Sequence, residues 1–244
     1  MVRDQTLSPQ QFHNFAKRFG KPEPHVISQF HHPESNDLLI LSNVKKNGEP
    51  TGLQDAGTYF HTDYSYLDVP ARCTTLYSIT VPAEGGETLF ANQTAAYDDL
   101  SSKMKTLIAP LIGRHHYGNR DDLDKASRTV ASVLSDEQEK KMQWVRHRIA
   151  RPHPLTGRMA LYSVSGSSFG IEGMADKEAI ELLDELKAHS THPRYRYALK
   201  YNPGDVVAWD NAALLHAATL IDPNHPRTLW RVTLKEDPQR LEAL

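Results

Sequence analysis

Short strand-like runs, separated by turn residues, are the feature of this 244-residue sequence that most limits its fold. Three runs come early and five come late, whereas residues from about 95 to 150 are polar and rich in helix formers. Pairs such as Asn47-Gly48, Gly85-Gly86 and Pro203-Gly204 mark turns. This order predicts an α+β fold with a mainly β core, a β-sandwich that carries a helical insertion. The predicted strands are residues 38–41, 74–79, 88–91, 159–162, 195–201, 206–209, 214–218 and 228–234.

Capping signals predict helices on either side of this insertion. Ser8 is suited to cap a helix, Pro9 suits its first position, and Gln11 completes a capping box. Apolar residues then recur with helical spacing as far as Gly20, which indicates one buried face. A later helix is predicted to start near Asp176.

Charge and composition exclude several classes of protein. Lys plus Arg number 28 and Asp plus Glu 30, so the formal charge is −2, and we expect neither nucleic acid nor a membrane as partner. Cys73 is the single cysteine, which rules out an intrachain disulfide and a cysteine-based zinc site. No apolar run approaches the roughly 20 residues of a membrane span, and the first residues lack a signal-peptide core. The expected location is therefore cytoplasmic.

The triplet His61-Thr62-Asp63 is the first feature with a chemical meaning. On a strand, His61 and Asp63 would point to the same face. An imidazole and a carboxylate together suit Fe(II), Mn(II) or Zn(II), and a second imidazole would complete a facial site with open positions. His216 lies in an otherwise apolar stretch and is available for that role. Taken alone, the triplet favours a histidine that caps a turn beside an acidic neighbour, and His216 alone favours a buried core histidine.

Two arginines near the last predicted strand favour a bound anion. Arg227 and Arg231 are four residues apart, which would place both on one face of the strand. A guanidinium in an apolar setting requires an acidic partner, and its planar fork binds a carboxylate through two hydrogen bonds. A ligand is the simplest source of that carboxylate.

Together these motifs resemble the TauD/TfdA family of Fe(II)- and 2-oxoglutarate-dependent dioxygenases. The resemblance rests on Phe60-His61-Thr62-Asp63, on Gly85-Gly86-Glu87-Thr88, on Trp209-Asp210-Asn211 followed by His216, and on Arg227 with Arg231. It implies a double-stranded β-helix, or jelly roll, with flanking helices. It also implies that His61, Asp63 and His216 bind iron, while Thr88 and Arg227 bind the distal carboxylate of 2-oxoglutarate. Arg231 would lie near the other end of this co-substrate, or bind an anionic group of the substrate.

The implied activity is hydroxylation of a C–H bond in a small, anionic organic substrate, with conversion of 2-oxoglutarate and O2 to succinate and CO2. Halogenating relatives replace the iron-binding carboxylate with a small residue, so Asp63 favours hydroxylation over halogenation. Desaturation or epimerisation by the same iron chemistry is an alternative. A Zn- or Mn-dependent enzyme without redox chemistry, or an inactive binding protein on the same scaffold, are further alternatives.

The remaining expectations concern the substrate pocket and the organisation of the chain. Tyr64, Tyr66 and His25 are weaker candidates for contacts with the substrate. Gly57 replaces the asparagine that contacts the substrate in taurine dioxygenase, which argues against taurine. We expect residues 1–244 to form one domain, with the helical insertion at about 95–150. Relatives carry about 30–40 further residues before the equivalent of Ser8, so the N-terminal part is expected to be short. A homo-oligomer, either a dimer or a tetramer, is expected.

Overall fold

The computed structural model describes residues 1–54, 57–120 and 134–235. Within them, the helices are α1 (Pro9–Ala16), α2 (Gln93–Asp98), α3 (Ser102–Ile108), α4 (Asp136–Glu139) and α5 (Asp176–Ser190). The strands are β1 (Lys21–Pro22), β2 (His31–His32), β3 (Ser35–Ser42), β4 (Lys45–Lys46), β5 (Glu49–Pro50), β6 (Ala71–Thr80), β7 (Thr88–Asn92), β8 (Ile112–His115), β9 (Val145–Arg148), β10 (Ala150–Pro152), β11 (Met159–Leu161), β12 (Ser168–Ile171), β13 (Arg196–Leu199), β14 (Val206–Asp210), β15 (Leu214–Ala218) and β16 (Thr228–Lys235).

Two antiparallel sheets carry the residues of interest. The larger has the order β14-β6-β16-β3-β2, with β1 paired to β16, and the smaller has the order β13-β7-β15. Apolar side chains from both sheets belong to one buried cluster, which includes Leu76 and Leu229 from the larger sheet and Phe90 from the smaller. The two sheets therefore share a core. The protein is a strand-rich, mixed α/β structure.

Helix α1 begins as its sequence predicts. Ser8 accepts a hydrogen bond from the backbone of Gln11, and the Gln11 side chain accepts one from the backbone of Ser8. Phe12 and Ala16 are fully buried against a cluster that includes Leu38. Helix α5 packs Leu183 and its neighbours into a second core beside the smaller sheet. All eight predicted strands have an observed counterpart, with ends shifted by a few residues.

The segment predicted as a helical insertion has mixed structure. Its described residues contain the helices α2, α3 and α4, but also β8 and β9, which pair with each other in a third sheet, where β8 also pairs with β12. Alternation of buried and exposed residues along β8 and β9 explains why they are strands, since one face of each packs inward. Residues 121–133 of this segment lie outside the described part of the chain.

Candidate metal centre and anion sites

His61 and His216, far apart in sequence, lie directly opposite each other. The backbone N–H of each donates to the backbone oxygen of the other, both at 2.9 Å, and the two form an isolated antiparallel bridge. Their ring centroids are 4.2 Å apart. His216 lies in the middle of β15, whose pairing with β7 fixes its position. Because paired residues direct their side chains to the same face, both imidazoles point the same way.

His61, Thr62 and Asp63 do not form a continuous strand. Beyond the bridge at His61 the chain enters a turn, and Tyr64 has a left-handed backbone with φ of 56°. Because of this turn, the strand pairing that begins at His61 does not continue along the chain. The turn nevertheless places Asp63 Oδ1 3.6 Å from His61 Nε2 and Asp63 Oδ2 3.5 Å from His216 Nε2.

His61, Asp63 and His216 form a group with one donor atom each, all within 4.8 Å of one another. Asp63 and His216 are buried and His61 is partly buried. His61 Nδ1 lies 2.8 Å from the backbone oxygen of Tyr59, which requires a hydrogen on Nδ1 and leaves the lone pair on Nε2. Two imidazole nitrogens and one carboxylate oxygen are the donor set that suits Fe(II), so these residues fit the metal.

Burial and neighbouring charges set the protonation states of His216 and Asp63. Burial, together with His61, lowers the pKa of His216 to about 3, so its imidazole is neutral. Burial alone would raise the pKa of Asp63, but His216, Arg231 and His61 together hold it well below its ordinary value. Asp63 is therefore a carboxylate at neutral pH.

A buried arginine lies beside this centre. Arg231, on β16, places Nη1 3.6 Å from Asp63 Oδ1, and its side chain is 9% exposed. Its Nη2 is buried and has no hydrogen-bond partner among the described residues. Burial lowers the pKa of Arg231, but Asp63 and nearby tyrosines raise it above its ordinary value. The guanidinium thus stays charged, with a donor available for an anion.

Arg227 lies with Thr88 in a separate polar cluster. It immediately precedes β16, and its Nη2 donates to the backbone oxygen of Gly86 at 3.3 Å. A Cβ at Gly86 would lie 3.2 Å from Arg227 Cδ and Nε, so glycine leaves room for the guanidinium. Arg227 Nε is buried and, within the described ranges, has no hydrogen-bond partner. Burial lowers the pKa of Arg227.

Tyr201 belongs to the Arg227 cluster, although its sequence position marks it only as a strand residue. Its hydroxyl lies 2.7 Å from Thr88 Oγ1, and its ring centroid is 6.0 Å from the Arg227 guanidinium carbon. Burial raises its pKa to about 12, so the hydroxyl keeps its proton. Tyr201 follows Lys200 and precedes the Pro203-Gly204 turn, and nothing in this stretch of sequence marks it as a partner of Arg227.

The sheet register relates the two sites. Thr88 pairs with Ala218, and Phe90 pairs with His216, so Thr88 lies two residues further along the same face of the sheet. Two strand residues correspond to about 7 Å. A five-carbon diacid can bridge that distance between the metal centre and the Thr88 cluster.

The weaker candidates Tyr64, Tyr66 and His25 lie near Arg231. The rings of Tyr64 and Tyr66 are 5.7 Å apart, and the His25 ring is 6.0 Å from Tyr64. Burial raises the pKa of both tyrosines and lowers that of His25, and Arg231 and Asp63 act on all three. Tyr64 and Tyr66 also pack together in a small apolar cluster, so a structural role is established for them.

Gly57 has a backbone requirement beside the metal centre. Its φ is 71°, and a Cβ there would lie 2.5 Å from Cε1 of His61. Its backbone oxygen accepts a hydrogen bond from Ala218 at 2.7 Å. An asparagine at this position would displace His61 unless the loop moved.

Asp63 has two further neighbours that the sequence analysis missed. Thr74 Oγ1 donates to Asp63 Oδ2 at 2.6 Å, and Asn211 Nδ2 donates to Thr74 Oγ1 at 2.9 Å. Asn211 is part of the Trp209-Asp210-Asn211 motif, but its contacts join residues that are distant in sequence.

None of the described helices is long and apolar enough to pass through a lipid bilayer.

Comparison with known proteins identifies the family. Residues 1–233 match the family model for taurine catabolism dioxygenase TauD, TfdA family. The chain is 31% identical over 242 residues to pentalenolactone F synthase of Streptomyces arenae, which covers 96% of this chain and 81% of that protein. It is also 31% identical over 245 residues to the alpha-ketoglutarate-dependent 2,4-dichlorophenoxyacetate dioxygenase of Burkholderia sp. (strain RASC), covering 96% and 80%.

A solved structure agrees with this assignment. The crystal structure of AAD-2 in complex with Mn(II) and N-oxalylglycine is similar with a TM-score of 0.78 and 29% sequence identity, covering 96% of this chain and 82% of that one. The resemblance seen in the sequence is therefore confirmed, as is the expectation of an enzyme that uses Fe(II), 2-oxoglutarate and O2. The chain belongs to the TauD/TfdA family of Fe(II)- and 2-oxoglutarate-dependent dioxygenases.

Proposed function

We propose that the enzyme hydroxylates a C–H bond of a small, anionic organic molecule, with decarboxylation of 2-oxoglutarate to succinate and CO2. The observation that carries this proposal is the metal-binding group His61, Asp63 and His216, with Arg231 immediately beside it. When bound there, iron supplies the O2 activation that this oxidation requires. The protein's own side chains bind and orient the two organic reactants.

Three side chains are proposed to bind the distal carboxylate of 2-oxoglutarate. Arg227 supplies the positive charge, and Thr88 and Tyr201 supply hydroxyl groups that lie 2.7 Å from each other. Within the described part of the chain, the buried Nε of Arg227 has no hydrogen-bond partner, which supports this assignment because a buried guanidinium is stabilised by a carboxylate. The position of Thr88 along the sheet supports a co-substrate that reaches from this cluster to the metal.

Arg231 is proposed to recognise an anionic group close to the metal. It is buried, it is charged, and its Nη2 has no hydrogen-bond partner among the described residues. The 2,4-dichlorophenoxyacetate that the relative from Burkholderia is named for is itself a carboxylate. Tyr64, Tyr66 and His25 are proposed to border the same pocket. The proposal of an anionic substrate rests on Arg231. The tyrosines would define the shape of the pocket.

Two structural expectations become proposals here. We infer that the two sheets with their shared core are the halves of a double-stranded β-helix, which the family membership supports. We also infer that the chain forms one domain, because the family match extends over residues 1–233. The homo-oligomer and the cytoplasmic location stay predictions.

A substrate screen tests the proposed reaction. The enzyme would be loaded with Fe(II) and 2-oxoglutarate and supplied with small carboxylates, sulfonates and sulfate esters, and O2-dependent succinate would be measured. A substrate should raise succinate formation and gain one oxygen atom in mass. Loss of two hydrogens would indicate desaturation instead. Turnover without O2 would contradict the oxygenase and favour a metal-dependent enzyme without redox chemistry.

A further inference from the structure

Thr74 contacts one oxygen of the Asp63 carboxylate, Oδ2, and His61 lies nearest the other oxygen, Oδ1. It lies on β6, its side chain is fully buried, and its Oγ1 is 2.6 Å from Asp63 Oδ2. A carboxylate can only accept hydrogen bonds, and Thr74 has a hydroxyl hydrogen to donate. The hydroxyl of Thr74 is therefore the donor in this short contact.

Asn211 fixes the direction of that hydroxyl. Its Nδ2 donates to Thr74 Oγ1 at 2.9 Å, which occupies an acceptor position and leaves the hydrogen for Asp63. Its Oδ1 accepts from the indole N–H of Trp209 at 3.2 Å and lies 3.4 Å from the backbone nitrogen of Asp63. An indole is only a donor, so the amide of Asn211 has one satisfactory orientation. Asn211 is 1% exposed.

This network constrains two of the three metal-binding side chains. Thr74 engages Oδ2 of Asp63, and Oδ1 is the oxygen that lies 3.6 Å from His61 Nε2. Trp209, held by Asn211, packs its ring 4.8 Å from the ring of His216. A shift of the Asn211 amide would therefore change the positions of both Asp63 and His216.

We propose that Thr74 and Asn211 are positioning residues that fix the carboxylate of Asp63 and thereby set the affinity of the centre for its metal. The inference rests on the metal-binding role proposed for His61, Asp63 and His216. Hydrogen bonds to metal-binding side chains orient them and commonly contribute tenfold to hundredfold in metal affinity. The side-chain hydrogen bonds described for these two residues go to Asp63, to Trp209 and to each other, so both are proposed to act through Asp63 and Trp209.

The neighbouring Thr75 provides a matched control. It is on the same strand, is equally buried, and points to the opposite face, where its Oγ1 donates to the backbone oxygen of Val232 at 3.2 Å. Thr74→Val and Thr75→Val remove the same atoms from the same strand. The lost hydroxyl contacts Asp63 in the first variant and the backbone oxygen of Val232 in the second.

Mn(II) binding to the full chain, without 2-oxoglutarate, tests the inference. Free Mn(II) would be measured by electron paramagnetic resonance during titration of the wild type, Thr74→Val, Thr74→Ser and Thr75→Val. We expect Thr74→Val to raise the dissociation constant by about tenfold to hundredfold. Thr74→Ser retains the hydroxyl and should restore most of the affinity, and Thr75→Val should match the wild type. Circular dichroism would establish that each variant is folded.

Equal Mn(II) affinity in Thr74→Val and the wild type would overturn the positioning role while leaving the metal centre intact. An equal loss in Thr74→Val and Thr75→Val would also overturn it, because the effect would then be a general loss of packing. No Mn(II) binding by the wild type would contradict the metal centre itself. If Thr74→Val does not fold, Thr74→Ala compared with Thr74→Ser and Thr75→Ala gives the same contrast.

Discussion

His61 and His216 exchange a pair of backbone hydrogen bonds, both at 2.9 Å, and so hold two imidazole rings with their centroids 4.2 Å apart. The bridge joins a loop residue, His61, to the central residue of β15, His216. Asp63 follows two residues after His61. The backbone itself therefore brings the two histidines together. This arrangement explains how a centre made from distant residues is formed by the fold.

Replacement of Asp63 should abolish the stabilisation of the folded protein by added metal. Asp63→Asn keeps the shape but removes the negative charge between the histidines. We expect Fe(II) or Mn(II) to raise the melting temperature of the wild type, since a ligand of the native state stabilises it, and to have little effect on Asp63→Asn. Asp37→Asn, which affects a partly exposed pair with His13, is the control and should respond like the wild type. A full metal response in Asp63→Asn would exclude it as a ligand.

Replacement of Arg227 should weaken binding of 2-oxoglutarate. Loss of one partner of a buried charge pair costs about 2–5 kcal/mol, so Arg227→Ala should raise the KM for 2-oxoglutarate by roughly 30-fold or more. Arg158→Ala is the control, because Arg158 is exposed and pairs with Asp98 at 2.8 Å. Steady-state succinate formation at varied 2-oxoglutarate measures both. An unchanged KM in Arg227→Ala would refute the assignment.

Removal of the Tyr201 hydroxyl should have a smaller effect of the same kind. A single neutral hydrogen bond contributes about 0.5–1.5 kcal/mol, so Tyr201→Phe should raise the KM for 2-oxoglutarate by roughly twofold to tenfold. Tyr197→Phe is a suitable control, since Tyr197 is 61% exposed and lies on the neighbouring strand β13. If both variants have the wild-type KM, Tyr201 does not bind the co-substrate.

His115 should make the protein less stable in acid. It is 1% exposed, and burial, with His147 and Arg151, lowers its pKa to about 3. Between about pH 6.5 and pH 3 the unfolded chain binds a proton there that the folded chain does not, so the free energy of unfolding decreases as the pH falls. His115→Gln should reduce this decrease in urea titrations at pH 7 and pH 4.5.

The same titrations include a control for His115. His225→Gln, at an exposed position, should keep the wild-type dependence on pH. The burial of His147 lowers its pKa as well, so His115→Gln is expected to retain part of the acid sensitivity. Identical pH dependence in His115→Gln and the wild type would show that His115 is not the group responsible.

The sequence identified the three side chains that the fold brings together better than it identified the backbone that presents them. His61, Asp63 and His216 were identifiable because their residue types and spacing match a family motif, and the strands were identifiable by their apolar runs. The turn at Asp63 was not, because the left-handed conformation of Tyr64 is unusual for a tyrosine. Thr74 and Asn211 were missed because their hydrogen bonds join residues that only the folded sheet brings together.

The visible absorption spectrum under anaerobic conditions tests the central claim most directly. Fe(II) and 2-oxoglutarate would be added in turn to the metal-free wild type and to Asp63→Asn. The wild type should develop an iron-to-oxoglutarate charge-transfer band only when both are present, and Asp63→Asn should develop little of it. If the wild type binds both components without this band, then His61, Asp63 and His216 do not bring iron and 2-oxoglutarate together, and the account is contradicted.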